Sequence, residues 1–186
     1  SHNVWKNEKN LPAWAAKGED CSAAVRAKGM VRIYAETQPD IIGFQEMSPI
    51  MVDEILLGLT SQDQRYALLW GRDTPILYRQ DRFELLDSDF FLYSTELPGW
   101  AGEFNNSGTK SWCIAVFRDK TDGKKLAIMS THLWWKSSDP ASPDYQPGSD
   151  EARVYQLNLA MDRLEQFHAQ YDCPAVLVLS LIHISE

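Results

Sequence analysis

The sequence predicts a mixed α/β protein, and three observations carry the prediction. A helix–strand–helix pattern runs from Cys21 to Leu59, a series of short strand patterns with a hairpin signal follows from Tyr66 to Thr131, and a helix–strand pair runs from Ser149 to Leu179. A chain of 186 residues with 44% hydrophobic and 24% charged residues suits a single domain with a sizeable core. No apolar run is long enough to span a bilayer.

Taken in order, Ser1 to Gly18 has no period and reads as a loop broken by Pro12 and Gly18. Asp20 is placed to cap a helix from about Cys21 to Thr37, with Ala24, Ala27, Val31 and Tyr34 at helical spacing. The turn signal Pro39-Asp40 then opens the buried strand Ile41-Ile42-Gly43-Phe44, which ends in Gln45-Glu46. Ser48 and Pro49 supply an N-cap and a first-position proline for a second helix carrying Ile50, Ile55, Leu56 and Leu59.

Strands are expected at Tyr66 to Trp70, Pro75 to Tyr78 and Arg82 to Tyr93. A Gly- and Asn-rich loop, Ala101 to Lys110, leads to two apolar runs, Ser111 to Arg118 and Lys125 to Thr131. Asp122-Gly123 between them is a strong hairpin signal. Leu133 to Ser149 is a long connection rich in Trp and Pro, and loops of that length often carry function. Ser149 is read as the cap of a helix with the stripe Val154, Leu157, Met161, Leu164 and Phe167, before the strand Pro174 to Leu179.

Charge narrows the function. Lys plus Arg number 18 against 26 Asp plus Glu, a net charge of -8, which disfavours loose binding to nucleic acid but leaves room for a site that holds one phosphate group. Cys21, Cys113 and Cys173 are sparse and odd in number, so they are read as buried thiols. Two residues stand where strands leave the core: Glu46, a carboxylate positioned either for a divalent cation or for solvent, and His132, whose imidazole suits proton transfer near neutral pH or a structural hydrogen bond. Asp73, ahead of the strand at Pro75, and Arg153, near the start of the late helix, are candidates for contact with the histidine or a phosphate. Trp134 and Trp135, with Trp100 and Tyr145, are candidates for an aromatic substrate rim, although core packing competes for at least two of these four. His2 and His168 are read as structural or solvated.

In order, Pro39-Asp40-Ile41-Ile42-Gly43-Phe44-Gln45-Glu46, Pro75-Ile76-Leu77-Tyr78 with Arg82-Phe83, Ser111-Trp112, Thr131-His132-Leu133, and Arg153 with Gln156 resemble the endonuclease/exonuclease/phosphatase superfamily of metal-dependent phosphoesterases. The resemblance implies a four-layer α/β sandwich, two mainly antiparallel sheets face to face with helices outside, incomplete in this chain. It implies that Glu46 ligates Mg²⁺ or Mn²⁺ and that His132 contacts the scissile phosphate or protonates the leaving group, with Asp73 orienting it. The expected reaction is hydrolysis of a phosphate ester, a small molecule or lipid headgroup being slightly favoured over nucleic acid. A non-catalytic module using the tryptophan-rich loop to hold a glycan or protein is the alternative.

The pattern departs from the family at both ends. Where the family continues Gly-Asp-Phe-Asn, this chain reads Ser180-Leu181-Ile182-His183, and the family's first strand with its Asn is expected to precede Ser1. Leu179 to Glu186 resembles an in-frame translation of a sequencing-library adapter, with a genuine strand over Leu181-Ile182-His183-Ile184 as the alternative; the adapter reading places the native domain at 1–178 and makes this fragment, on its own, an inactive and marginally stable chain.

Overall fold

The computed structural model describes residues 1–180; the rest of the suspected adapter tail, His183 included, lies outside them. The elements are β1 (His2–Asn3), α1 (Pro12–Ala15), α2 (Ala23–Thr37), β2 (Ile41–Gln45), α3 (Pro49–Thr60), β3 (Tyr66–Leu69), β4 (Ile76–Arg79), β5 (Phe83–Leu92), β6 (Ser111–Asp119), β7 (Lys125–His132), α4 (Ser149–Tyr171) and β8 (Ala175–Leu179). They form two four-stranded sheets, β1-β2-β4-β3 and β5-β6-β7-β8. Each sheet is antiparallel except at one edge, where β1 lies parallel to β2 and β8 parallel to β7.

The layers follow from what each element buries. Ala27, Val31 and Tyr34 of α2 and Met51, Val52, Ile55 and Leu59 of α3 pack on Ile42, Phe44 and Leu77 of the first sheet. Ala160, Leu164 and Phe167 of α4 pack on Trp112, Ile114, Val116, Ala127 and Met129 of the second. Between the sheets lie Ile76, Cys113, Ala115 and Phe117. The order is helices, sheet, sheet, helix, the four-layer sandwich that the family resemblance implies.

Most predicted elements stand within a few residues of their expected positions, and the differences have local causes. The amino-terminal segment is not all loop: His2 and Asn3 pair with Phe44 and Gln45, so a first strand ending in an Asn is present within the chain. Asp20 does not cap α2. Its Oδ1 accepts from Ser22 N in the turn ahead of the helix, and Ser22 occupies the cap position. Ser48 caps α3 as expected, its Oγ accepting from Met51 N at 3.2 Å, but Ile50 is exposed. For α4, Gly148 in the left-handed region takes the cap position instead of Ser149. The buried face of α4 is Ala152, Gln156, Ala160, Leu164 and Phe167, while Val154 and Met161 face solvent. Small alanines let the helix lie close to the sheet, and Gln156 is buried with both ends of its amide bonded: Oε1 accepts from Trp134 N and Nε2 donates to Phe104 O. The three cysteines are free and buried, and no described helix is long and apolar enough to cross a membrane.

The sheets approach closely at Gly43. A Cβ there would stand 2.4 Å from Val178 Cγ2 and 3.2 Å from Ser130 Cβ, while Ser130 Oγ donates to Phe44 O at 2.7 Å and accepts from Gln45 Nε2 at 3.1 Å. Gly43→Ala is therefore expected to destabilise the fold by about 1–3 kcal/mol through overpacking, read as a lower urea midpoint with an unchanged m value.

Candidate active site

The cleft is built where strands end and begin on one rim. β1 ends in Asn3, β2 ends just before Glu46, β7 ends in His132 and β8 ends just before Ser180, whereas Asp73 precedes β4 and Lys110 immediately precedes β6. Glu46 leaves its strand with φ 58°, a left-handed conformation that a side chain other than glycine adopts at a conformational cost and that recurs at functional sites. Asn3 Nδ2 donates to Glu46 Oε1 at 2.7 Å and to Ser180 Oγ at 3.0 Å, which ties three strand ends together.

Asp73 is held by a tight turn in which Thr74 N donates to Gly71 O. A Cβ at Gly71 would stand 2.5 Å from Cys113 Cβ, so only glycine allows this turn to lie against β6. Lys110 is fixed by the Asn-rich loop: Asn105 Oδ1 accepts from the backbone N–H of Thr109 and Lys110, and Asn105 Nδ2 donates to Lys110 O.

At the centre, His132 Nδ1 stands 2.5 Å from Asp73 Oδ2. A carboxylate only accepts, so Nδ1 carries the proton and Nε2 keeps its lone pair. Lys110 Nζ lies 3.0 Å from Nε2 and 3.2 Å from Nδ1, and Glu46 Oε1 lies 3.9 Å from Nε2. Burial depresses the imidazolium below its ordinary range, with Lys110 acting in the same direction and the Asp73 hydrogen bond opposing it. Burial also pulls the Lys110 ammonium down to about 8, against the attraction of Asp73 and Glu46. The ring is thus neutral at pH 7 beside a lysine that still carries its charge. Such a pair can accept a proton at Nε2 and place a cation against an anionic oxygen.

The cleft measures about 370 Å³ and is completed by Lys6, Ser107, Thr109 and Trp135. Lys6 Nζ is 3.7 Å from Asp73 Oδ1, a buried oxygen that makes no hydrogen bond.

Glu46, His132, Asp73 and Trp135, all singled out by sequence, therefore meet in one cleft. Arg153 and Trp134 do not. The Arg153 guanidinium donates to Lys136 O at 2.5 Å and to Asp150, so it fastens the 134–136 loop to α4. Trp134 is 2% exposed and packs edge-on against Phe104, with ring centroids 5.9 Å apart. Trp100 and Tyr145 are exposed but do not line this cleft. His168 Nδ1 bonds Cys173 O and His2 Nδ1 bonds Tyr34 Oη, both structural contacts.

Sequence reading missed Lys110, Asn3 and Lys6. The signal for Lys110 is its place one residue before the strand start Ser111-Trp112; that for Asn3 is the short His2-Asn3-Val4 run at the head of a segment that otherwise reads as loop.

The oxygens of Glu46 and of Asp73, the latter including the orphaned Oδ1, give the cleft hard donors beside the Asn3 side chain. Among the described residues no three His, Cys, Asp or Glu side chains gather into a protein-only cage. The set fits a cation such as Mg²⁺, which takes one or two carboxylates and fills its shell with water and substrate oxygens.

No protein-family model and no curated protein matches the sequence. Solved structures do match in shape. An endonuclease/exonuclease/phosphatase from Bacteroides vulgatus superposes with a TM-score of 0.69 at 22% identity, covering 96% of this chain and 62% of that one. A mannosyl-6-phosphatase from Bacteroides thetaiotaomicron gives 0.63 at 18% identity, with 96% and 62% covered. D. rerio TDP2 complexed with a single strand DNA product gives 0.55 at 21% identity, with 84% and 52% covered. The chain spans about three fifths of the length of the first two.

Proposed function

From the premise that this chain carries the endonuclease/exonuclease/phosphatase fold, we propose that it forms part of a divalent-metal-dependent hydrolase of phosphate esters. The observation that supports the reading most is the convergence of Asp73, His132, Lys110 and Glu46 on one rim cleft. Glu46, steadied by Asn3, would hold Mg²⁺ or Mn²⁺. Bound there, the cation supplies charge withdrawal from the phosphoryl oxygens. Lys110 sets a positive charge against a phosphoryl oxygen from a site where burial strengthens the interaction. Asp73 holds the His132 tautomer, leaving Nε2 to accept a proton or, once charged, to give one to the leaving oxygen.

The volume of about 370 Å³ and the single aromatic wall at Trp135 suit a small phosphate ester or a lipid headgroup, and the net charge of -8 does not suit non-specific nucleic acid.

The test is hydrolysis of p-nitrophenyl phosphate and bis(p-nitrophenyl) phosphate by the full-length gene product. The 186 residues are assayed alongside and, given the departure from the family pattern after β8, low turnover is proposed for them. Turnover is expected to need Mg²⁺ or Mn²⁺ and to fall at least about a hundredfold in Glu46→Gln, the scale of a lost metal contribution. Hydrolysis that persists in EDTA and in Glu46→Gln would refute the proposal.

A further inference from the structure

A second groove, of about 530 Å³, shares no lining residue with the catalytic cleft. It is built on the turn Leu97-Pro98-Gly99-Trp100, closed by Trp100 N donating to Leu97 O at 3.1 Å, with Gly99 in the left-handed region at φ 84°. Proline followed by a positive-φ glycine preorganises such a turn, so little ordering remains for a ligand to impose.

The turn presents Trp100 as a platform. One side of the indole is seated on Gly148, where an added Cβ would stand 2.8 Å from Trp100 Cε3, yet the residue remains 41% exposed. Tyr155 of α4, 39% exposed, contributes a second ring to the groove, and Glu96 and Ser94 add a carboxylate and a hydroxyl. No Lys, Arg or His lines it.

These features select a ligand class. Without a cationic side chain, and with the Glu96 carboxylate in its lining, the groove disfavours an anion such as phosphate. Its aromatic faces carry partial negative charge that favours polarised C–H bonds, while Glu96, Ser94 and the Tyr155 hydroxyl provide acceptors and donors for a ligand rich in hydroxyls. An organic cation would gain little from rings this open to water. We infer that the groove beside Trp100 is a saccharide-binding site, distinct from the phosphoester cleft and taking a neutral mono- or disaccharide with one apolar face on the indole. Leu97 from the groove and Trp135 from the cleft pack into one cluster with Phe104 and Trp134, so the two sites flank the same buried wall.

The experiment is an NMR titration of the ¹⁵N-labelled chain with glucose, mannose, N-acetylglucosamine, maltose and cellobiose. At least one sugar is expected to give saturable shifts at residues 94–102 and 155 with a millimolar Kd. Trp100→Ala should weaken binding about tenfold or more and Glu96→Gln several-fold, the melting curves of both variants remaining close to that of the parent, while Glu46→Gln leaves sugar binding intact. No saturable shift with any of the five sugars, undiminished affinity in Trp100→Ala, shifts confined to the His132 cleft, or saturation by choline chloride alone would each overturn the inference.

Discussion

In the full-length gene product, His132→Ala is expected to lower kcat for phosphate-ester hydrolysis by about 10²–10⁴-fold with little change in KM, the range for loss of a positioned proton donor or acceptor. Asp73→Asn should reproduce much of this loss without removing the ring. An amide N–H facing Nδ1 forces the opposite tautomer, and Nε2 then presents a proton where it had a lone pair. A structural role alone would leave Asp73→Asn nearly as active as the parent, so steady-state kinetics on the two variants separate positioning from packing. The same histidine gives the metal-free protein a pH signature. Its native pKa lies below the ordinary 6.5 because it is buried, so the unfolded chain binds the proton first as pH falls. The contribution to stability is complete above about pH 6.5 and is lost below it, with a slope of at most about 1.4 kcal/mol per pH unit for one proton. Melting temperatures in EDTA between pH 5 and 8 should show this dependence, reduced in His132→Ala to the part that His2, also lowered by burial, contributes with the same sign.

Trp134→Ala is expected to destabilise the fold by about 3–5 kcal/mol, the cost of emptying a large aromatic site. The residue is fully enclosed by Leu97, Phe104, Ala152 and Trp135, and its backbone N–H donates to Gln156 Oε1 at 2.7 Å. Its indole Nε1 makes no hydrogen bond although buried. Trp134→Phe sheds that unpaired donor and should lose much less than the alanine variant, because burying an unsatisfied N–H is itself unfavourable by about 1–3 kcal/mol. Urea midpoints at constant m value measure both. Kinetic constants for Trp134→Phe near those of the parent would confirm that this tryptophan supports the cleft wall and does not touch substrate.

The contrast between Trp134 and Trp135 marks where sequence reading stops. Periodicity and turn chemistry located β2, α3, β6 and β7 because each carries a local signature: a proline-bounded apolar run, a Ser-Pro cap, an Asp-Gly hairpin. Which of two adjacent tryptophans turns inward depends on Phe104 and α4, partners remote in sequence, and no local rule encodes them. The face of α4 departs from the expected stripe in its first half, for a related reason, whereas Leu164 and Phe167 are buried as expected. Ala152, Gln156 and Ala160 repeat at four-residue spacing, but two alanines and a glutamine weigh little against Val154 and Met161 on a hydrophobicity scale. Lys110 was overlooked because a lysine ahead of a strand looks solvated until a loop 5 residues upstream, pinned by Asn105, folds over it.

The positive φ at Glu46 has a consequence for how this protein can change. Glu46 lies one residue past the last strand residue of β2 and is already turned away from the strand direction, so its side chain answers to the rim and not to the register of the sheet. Substitution of the Glu46 side chain alters the charge of the rim while the paired registers of β1, β2 and β4 run through other residues. At Glu46 reactivity can change with little effect on strand pairing, unlike at Asp73 and Lys110, whose carbonyls accept from Met47 N and Tyr93 N. Gly43 and Gly71, which face the opposite sheet, have no such freedom.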